Sequence, residues 1–399
     1  MSRIPRAEFP PPVLITETAA LAALCDRLRG EDFVTVDTEF MRERTYWPEL
    51  CVVQLGGAAE VAVVDALAAG GIDLAPLGAL LADPAVTKVF HAARQDIETF
   101  LLRFGDVPRP VFDTQVAAMV AGFGDQVGYD ALVAGLTGGM IDKAHRFSDW
   151  AARPLSPAQI AYAAADVTHL RGVYGRLRER LARDGRLDWV AEEMAELSDP
   201  ATYRADPATM WERLRPRTAN RRQLGLLRAV AAWREREAQR ANIPRQRILK
   251  DETLLEIAAT APETPEALAR ARGVSEGFAR GRMGAALLAA IAEARALPEA
   301  ALPLAQVGRD GPRPSPALVA LLKVLLAAKC EAHHVAPKLV ASSEDIDRLA
   351  TEDTPAVRAL HGWRREVFGA DALALKDGMI ALGVEGRRVR LIRTPPDGG

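Results

Sequence analysis

The chain has 399 residues, 49% of them hydrophobic, enough for two or three domains with cores of their own. Three widely separated cysteines, Cys25, Cys51 and Cys330, with no paired spacing suggest neither a disulfide framework nor a zinc site, and no apolar run reaches the length of a bilayer span. A formal net charge of −2 confines any polyanion-binding surface to a local stretch, and the N-terminal MSRIPRAEFPPPVL lacks the apolar core of a signal sequence, so a reducing, cytoplasmic location is expected.

A first helix is predicted near Glu17 to Leu28. The segment FVTVDTEF that follows is rich in β-formers and predicts a strand over 33–39. Alternation along that strand puts Asp37 and Glu39 on one face, their Cα atoms roughly 6.5 Å apart. The same acidic triplet also suits a strand running out into a polar loop. Further strands are expected at 50–56 and 61–65. VTKVFHAARQDIETF then predicts a short strand, Val86 to Phe90, and a helix reaching about residue 104, with Ile97, Phe100 and Leu101 at helical spacing. Asp96 lies early in this helix, where the helix dipole alone would also favour an acid. His91 at the strand end and Gln95 one turn later are candidates to touch a substrate, although a histidine there serves equally as a cap. In FDTQ, Asp113 and Thr114 read as an N-cap pair for the helix of Val116, Ala117 and Val120.

LSPAQIAYAAADVTHL fixes the register of the next helix. Ser156 is its N-cap, Pro157 its first residue, and Gln159 completes a capping box. Tyr162 and Asp166, four residues apart, therefore share one face, among the small side chains Ala161, Ala163, Ala164 and Ala165 that permit close approach to another element. A core tyrosine beside a surface aspartate is the alternative. Burying a lone ionised carboxylate costs several kcal/mol, so acids gathered in an interior are neutralised by partners or by divalent metal. Few basic residues stand beside these acids, and the pattern points to a metal-dependent nuclease.

The three segments carrying Asp37, Glu39, Asp96, Tyr162 and Asp166 resemble the exonuclease motifs of the DEDD superfamily, in the subgroup with tyrosine four residues before the last aspartate. The chain as a whole resembles the ribonuclease D family, through DTEFMRERTYWPELCVVQL, HAARQDIETF, VFDTQVAAMV, VGYDALV and DWAARPLS in that order. The resemblance implies that Asp37, Glu39 and Asp166 ligate one divalent cation. A second would be shared by Asp37 and held by Asp96 largely through water, and Tyr162 would orient the attacking water. Two hard cations about 4 Å apart supply an acidic water and a clamp on the attacking and leaving oxygens. Oxygen-only ligands select Mg2+ or Mn2+ over zinc. Tyr129 and Lys143 are candidate contacts for the terminal base, by stacking, and for its phosphate, by charge.

The phrase SDPATYRADP marks a domain boundary near residue 205. The order of elements before it suits an α/β domain of ribonuclease-H-like fold, a mixed sheet flanked by helices, over residues 1–205. From 207 to 298 the periodicity is helical, with Leu224, Leu227, Val230, Ala231 and Trp233 in one apolar stripe. This small all-α bundle resembles the helicase-and-RNase-D C-terminal (HRDC) domain, which implies nucleic-acid or partner binding. Basic side chains concentrate here, among them Arg221, Arg222, Arg245, Arg247 and Lys250. On charge alone this stretch reads equally as a phosphate-binding surface and as a solvated arginine-rich helix. A linker at 299–314 precedes a second, divergent HRDC-like unit over 315–395, whose alternating tail with Asp377-Gly378 predicts a terminal β-hairpin. The expected activity is 3′-to-5′ hydrolysis of structured RNA, with transfer RNA precursors as partners and nucleoside 5′-monophosphates as products. A proofreading-type DNA 3′-exonuclease and an RNA-binding scaffold without turnover are the alternatives.

Overall fold

The computed structural model describes residues 11–142, 144–216, 218, 220–304 and 314–393, so Lys143 lies outside the described residues. They form two compact units: residues 11–39, 50–202 and 314–393 in one, residues 40–49 and 203–304 in the other.

The first unit is built on a six-stranded sheet of β1 (Val13–Ile15), β2 (Phe33–Met41), β3 (Glu49–Gly56), β4 (Val61–Asp65), β5 (Thr87–Phe90) and β6 (Val111–Asp113), in the order β1-β4-β3-β2-β5-β6. β2, β5 and β6 are parallel, with Val34 opposite Lys88 and Val89 opposite Phe112, while β3 runs antiparallel to β4. β3 and β4 are continuous apolar runs because both of their faces are covered. Helices α1 (Thr18–Leu28), α2 (Ala75–Ala82), α3 (Arg94–Phe104), α4 (Thr114–Val120), α5 (Tyr129–Thr137), α6 (Pro157–Arg183) and α7 (Leu187–Leu197) complete this part. The mixed sheet with flanking helices is the ribonuclease-H-like arrangement expected. β1 and β6, each only three residues long, are too short to leave a strand pattern in the sequence.

α6 docks directly on the sheet. Its Ala163, Ala164, Val167, Leu170, Val173 and Leu177 are buried, whereas Ala161 is exposed and takes no part in the close approach expected of it. Thr35 of β2 donates to the carbonyl of Val167 at 2.7 Å, and a Cβ at Gly56 would overlap Thr35 Oγ1 and lie 3.2 Å from that carbonyl. Glycine at this point lets helix and strand backbones meet.

Residues 316–393 pack in the same unit. Arg364, 3% exposed, pairs with Glu193, 5% exposed, and Trp363 stacks on Trp189 of α7 at 4.6 Å. The terminal hairpin is β7 (Ile380–Glu385) with β8 (Arg388–Arg393). Its turn is not at Asp377-Gly378: Glu385 faces Arg388 across Gly386 (φ 62°), while Gly378, whose N–H bonds the Leu375 carbonyl, closes the preceding helix.

The second unit is helical, centred on α8 (Arg221–Ala241), with Leu224, Leu227, Val230, Ala231 and Trp233 in its core beside Leu254, Ile257, Leu287 and Ile291. Tyr46 joins that core. Its hydroxyl bonds buried Glu235, and the Asn242 side chain accepts from the backbone N–H groups of Tyr46 and Trp47. No helix among the described residues is long and apolar enough to cross a membrane.

Candidate active site

Three parallel strands end at one place. β2 carries Asp37 and Glu39, β5 is followed by His91, and β6 ends on Asp113, so the cleft forms at the carboxyl edge, where open α/β sheets hold ligands. Asp113 braces the edge by accepting N–H groups from Ala92 (3.0 Å), Ala93 (2.8 Å), Gln115 (2.8 Å) and Val116 (3.3 Å). The N-cap role expected of it therefore extends to a second turn, and those bonds hold Ala92 at φ 60°, a strained conformation for alanine.

Across the cleft, the Ser156–Gln159 capping box begins α6 as predicted, and its register brings Asp166 to the β2 acids. Ligand oxygens of Asp37, Glu39 and Asp166 lie within 4.8 Å of one another. Desolvation, then the charge of Asp166, holds the Asp37 carboxyl well above the carboxylate range. Glu39 is pushed up to about 9 by burial and then by Asp37, Asp166 and Asp96, and burial raises Asp166 to about 7. Asp96, 6% exposed, accepts a hydrogen bond from Thr38 Oγ1, and desolvation followed by the charge of Asp37 raises it too. Such a set is electrostatically starved of positive charge. Its all-oxygen donors and spacing fit a hard divalent cation, which would replace the protons they retain without one.

The cleft, about 360 Å³, is lined by Asp37, Glu39, Asp166, Tyr162, His91 and Tyr129. The Tyr162 ring lies 6.1 Å from that of Trp150 and 6.3 Å from that of His145, and burial first, then Asp166, raises its hydroxyl so that it stays protonated. Tyr129 donates to the carbonyl of Asp166, fixing α6, with its ring 5.2 Å from that of His91. His91 Nδ1 pairs with Thr114 Oγ1 at 3.0 Å, and desolvation lowers its pKa and keeps it neutral. Gln95 is exposed on α3 and is not among the residues lining the cleft.

The basic candidates are in the second unit and are largely engaged there. Arg221 donates to the carbonyls of Glu299 (2.9 Å) and Leu302 (3.0 Å), Arg222 to that of Leu297 (2.5 Å), and Arg245 pairs with buried Glu235 at 3.1 Å. Arg247 and Lys250 are exposed.

Several contributors to the site carry no motif signal in the sequence. Gln115, Asp130, Ile141 and Arg146 also line the cleft. Arg153 ties the segment before α6 to the sheet, reaching Asp65 at 2.6 Å and the Cys51 carbonyl at 2.9 Å. Its only local signal was an acid ending the apolar run VAVVD and an arginine before a proline.

Residues 12–182 match the 3′-5′ exonuclease domain family, and residues 223–291 match the HRDC domain. A ribonuclease D of Granulibacter bethesdensis is 73% identical over 99% of this chain and 100% of its own length, and one of Gluconacetobacter diazotrophicus is 71% identical over 98% and 100%. The crystal structure of Escherichia coli RNase D, described as an exoribonuclease involved in structured RNA processing, superposes with a TM-score of 0.80 at 31% identity, covering 92% of this chain and 98% of that one.

Proposed function

The chain belongs to the ribonuclease D family and is a 3′-to-5′ exoribonuclease, and from that premise we propose how its own residues carry the hydrolysis. Asp37, Glu39 and Asp166 hold one divalent cation, and Asp37 with Asp96 serves a second. Mg2+ or Mn2+ would supply a water acidic enough to attack a phosphodiester at neutral pH and a positive clamp on the leaving oxygen. Thr38 fixes Asp96 in the orientation that task needs. Tyr162, protonated and in contact with the rings of Trp150 and His145, orients the attacking water by hydrogen bonding and is not the base. The observation that carries this reading is the meeting of Asp37, Glu39 and Asp166 within 4.8 Å from parts of the chain far apart in sequence.

RNA is the substrate, and we assign the enzyme to the 3′ ends of transfer RNA precursors in the cytoplasm, releasing nucleoside 5′-monophosphates. His91, Gln95, Tyr129 and Lys143 are assigned to the terminal nucleotide. Residues 1–205 form the catalytic domain in this reading, 207–298 the HRDC domain with Arg221, Arg222, Arg245, Arg247 and Lys250 toward RNA, and 315–395 the divergent HRDC-like unit. Of the five basic residues, exposed Arg247 and Lys250 are best supported.

Digestion of a 3′-extended transfer RNA precursor in Mg2+ by wild type and Asp37→Asn tests the core of it. Loss of turnover with RNA binding retained is expected. An Asp37→Asn enzyme working at the normal rate would refute the assignment. Single-stranded DNA of the same sequence, run in parallel, checks the preference for RNA.

A further inference from the structure

We propose that Phe147 and Arg146 form a second nucleotide subsite at the mouth of the cleft, taking the unpaired base and phosphate next to the 3′-terminal nucleotide of an RNA strand. This rests on the nuclease reading and goes beyond it, because the motif residues account only for the terminal nucleotide. Phe147 is 92% exposed, and Met140 in the same segment is 83% exposed. A phenylalanine so fully in water gains nothing from folding, and Met140, within the same eight residues, is a second large apolar side chain left in water.

What identifies the ligand is where this segment lies. Ile141 and Arg146, which lie within that stretch of chain, line the same cleft as Asp37, Glu39 and Asp166. Arg146 is near enough to Tyr162 to oppose the upward shift of its hydroxyl, and its guanidinium sits 5.4 Å from the Phe147 ring centroid. A cation beside the reacting centre and a free aromatic face next to it match one repeat of a nucleic-acid strand, phosphate followed by base. A cleft of about 360 Å³ holds about one nucleotide, so the base before it must lie outside, where Phe147 is. Stacking accepts any base, as an enzyme trimming varied sequences requires. A paired base cannot offer this face, so the subsite also favours ends with an unpaired tail.

The test uses the full-length enzyme and oligoadenylate carrying 2-aminopurine at the penultimate position, in Ca2+ to slow turnover. Wild type should quench the probe on binding, Phe147→Ala should not, and Phe147→Trp should restore quenching. Separately, kcat/KM is measured in Mg2+ on a mononucleotide p-nitrophenyl ester and on oligoadenylate. The gain from one substrate to the other should shrink at least about fivefold in Phe147→Ala, the lower end of what base–aromatic stacking contributes. Quenching equal in wild type and Phe147→Ala, or an unchanged gain, overturns the subsite. Absence of wild-type turnover on RNA would instead overturn the nuclease reading, with the fluorescence arm still deciding on Phe147.

Discussion

Replacing Glu39 by glutamine should stabilise the metal-free protein at alkaline pH, although it removes a proposed ligand. Burial and three neighbouring acids lift this carboxyl from its ordinary value of 4.5 to about 9 in the folded chain. Between those limits the folded state keeps a proton that the unfolded state has released. The carboxyl's contribution is therefore fully present below the unfolded value and lost as pH rises toward the folded one. Each pH step costs at most about 1.4 kcal/mol, and halving that for water reaching a partly exposed group leaves about 2 kcal/mol between about pH 5.5 and about pH 8. Glutamine does not titrate and escapes that loss.

Hydrogen exchange of β2 peptides suits the measurement, because it reports opening of the sheet without mixing in the second unit. At about pH 8 in EDTA, exchange in Glu39→Gln should be roughly 30-fold slower than in wild type, the ratio corresponding to about 2 kcal/mol, and nearly equal at about pH 5.5. Added Mg2+ should reverse the order, because only the full ligand set gains from binding. Parallel pH profiles for the two proteins in EDTA would refute the reasoning, since they would mean that Glu39 carries no excess proton in the folded state.

Tyr162→Phe should lower kcat while Mg2+ affinity, read by calorimetry, stays within about twofold, and the pH–rate profile of wild type should show no limb from this hydroxyl. Thr38→Val removes the donor that orients Asp96 and should weaken metal binding or activity by about 10- to 100-fold, with circular dichroism unchanged. Arg153→Ala strands Asp65, only 5% exposed, and should cost about 3–5 kcal/mol in urea unfolding, partly recovered by the second change Asp65→Asn.

The parts of the site that could be read from sequence are those set by local period. The capping box at Ser156 fixed the α6 register, so Tyr162 and Asp166 had to share a face, and strand alternation paired Asp37 with Glu39. FDTQ marks Asp113 as a cap, but its hold on Ala92 and Ala93 joins residues 21 and 20 apart and leaves no periodic trace. Thr38–Asp96 and Arg153–Asp65 span 58 and 88 residues and were invisible for the same reason. Tyr46 reads as one more aromatic in a loop, whereas its partner Glu235 is 189 residues away on α8. The cleft segment around Arg146 and Phe147 has no regular structure, so no pattern could place it beside the acids.

The site is held against its own repulsion by contacts that do no chemistry. Asp37, Glu39, Asp96 and Asp166 all hold a proton more tightly than a free carboxyl because each is desolvated, and all but Asp166 are further raised by neighbouring acids. Relaxation would take only a small withdrawal of α6 from β2. Thr35 on Val167, the missing side chain at Gly56, Tyr129 on the Asp166 carbonyl and Arg153 on Asp65 oppose that withdrawal at four points. The two hydrogen bonds are worth about 1 kcal/mol each and the buried Arg153–Asp65 pair more, so the hold on α6 is shared among the four points. Loosening any one of them should therefore lower metal affinity before it unfolds the domain. That order of failure separates a preorganised metal site from acids that meet by accident of packing.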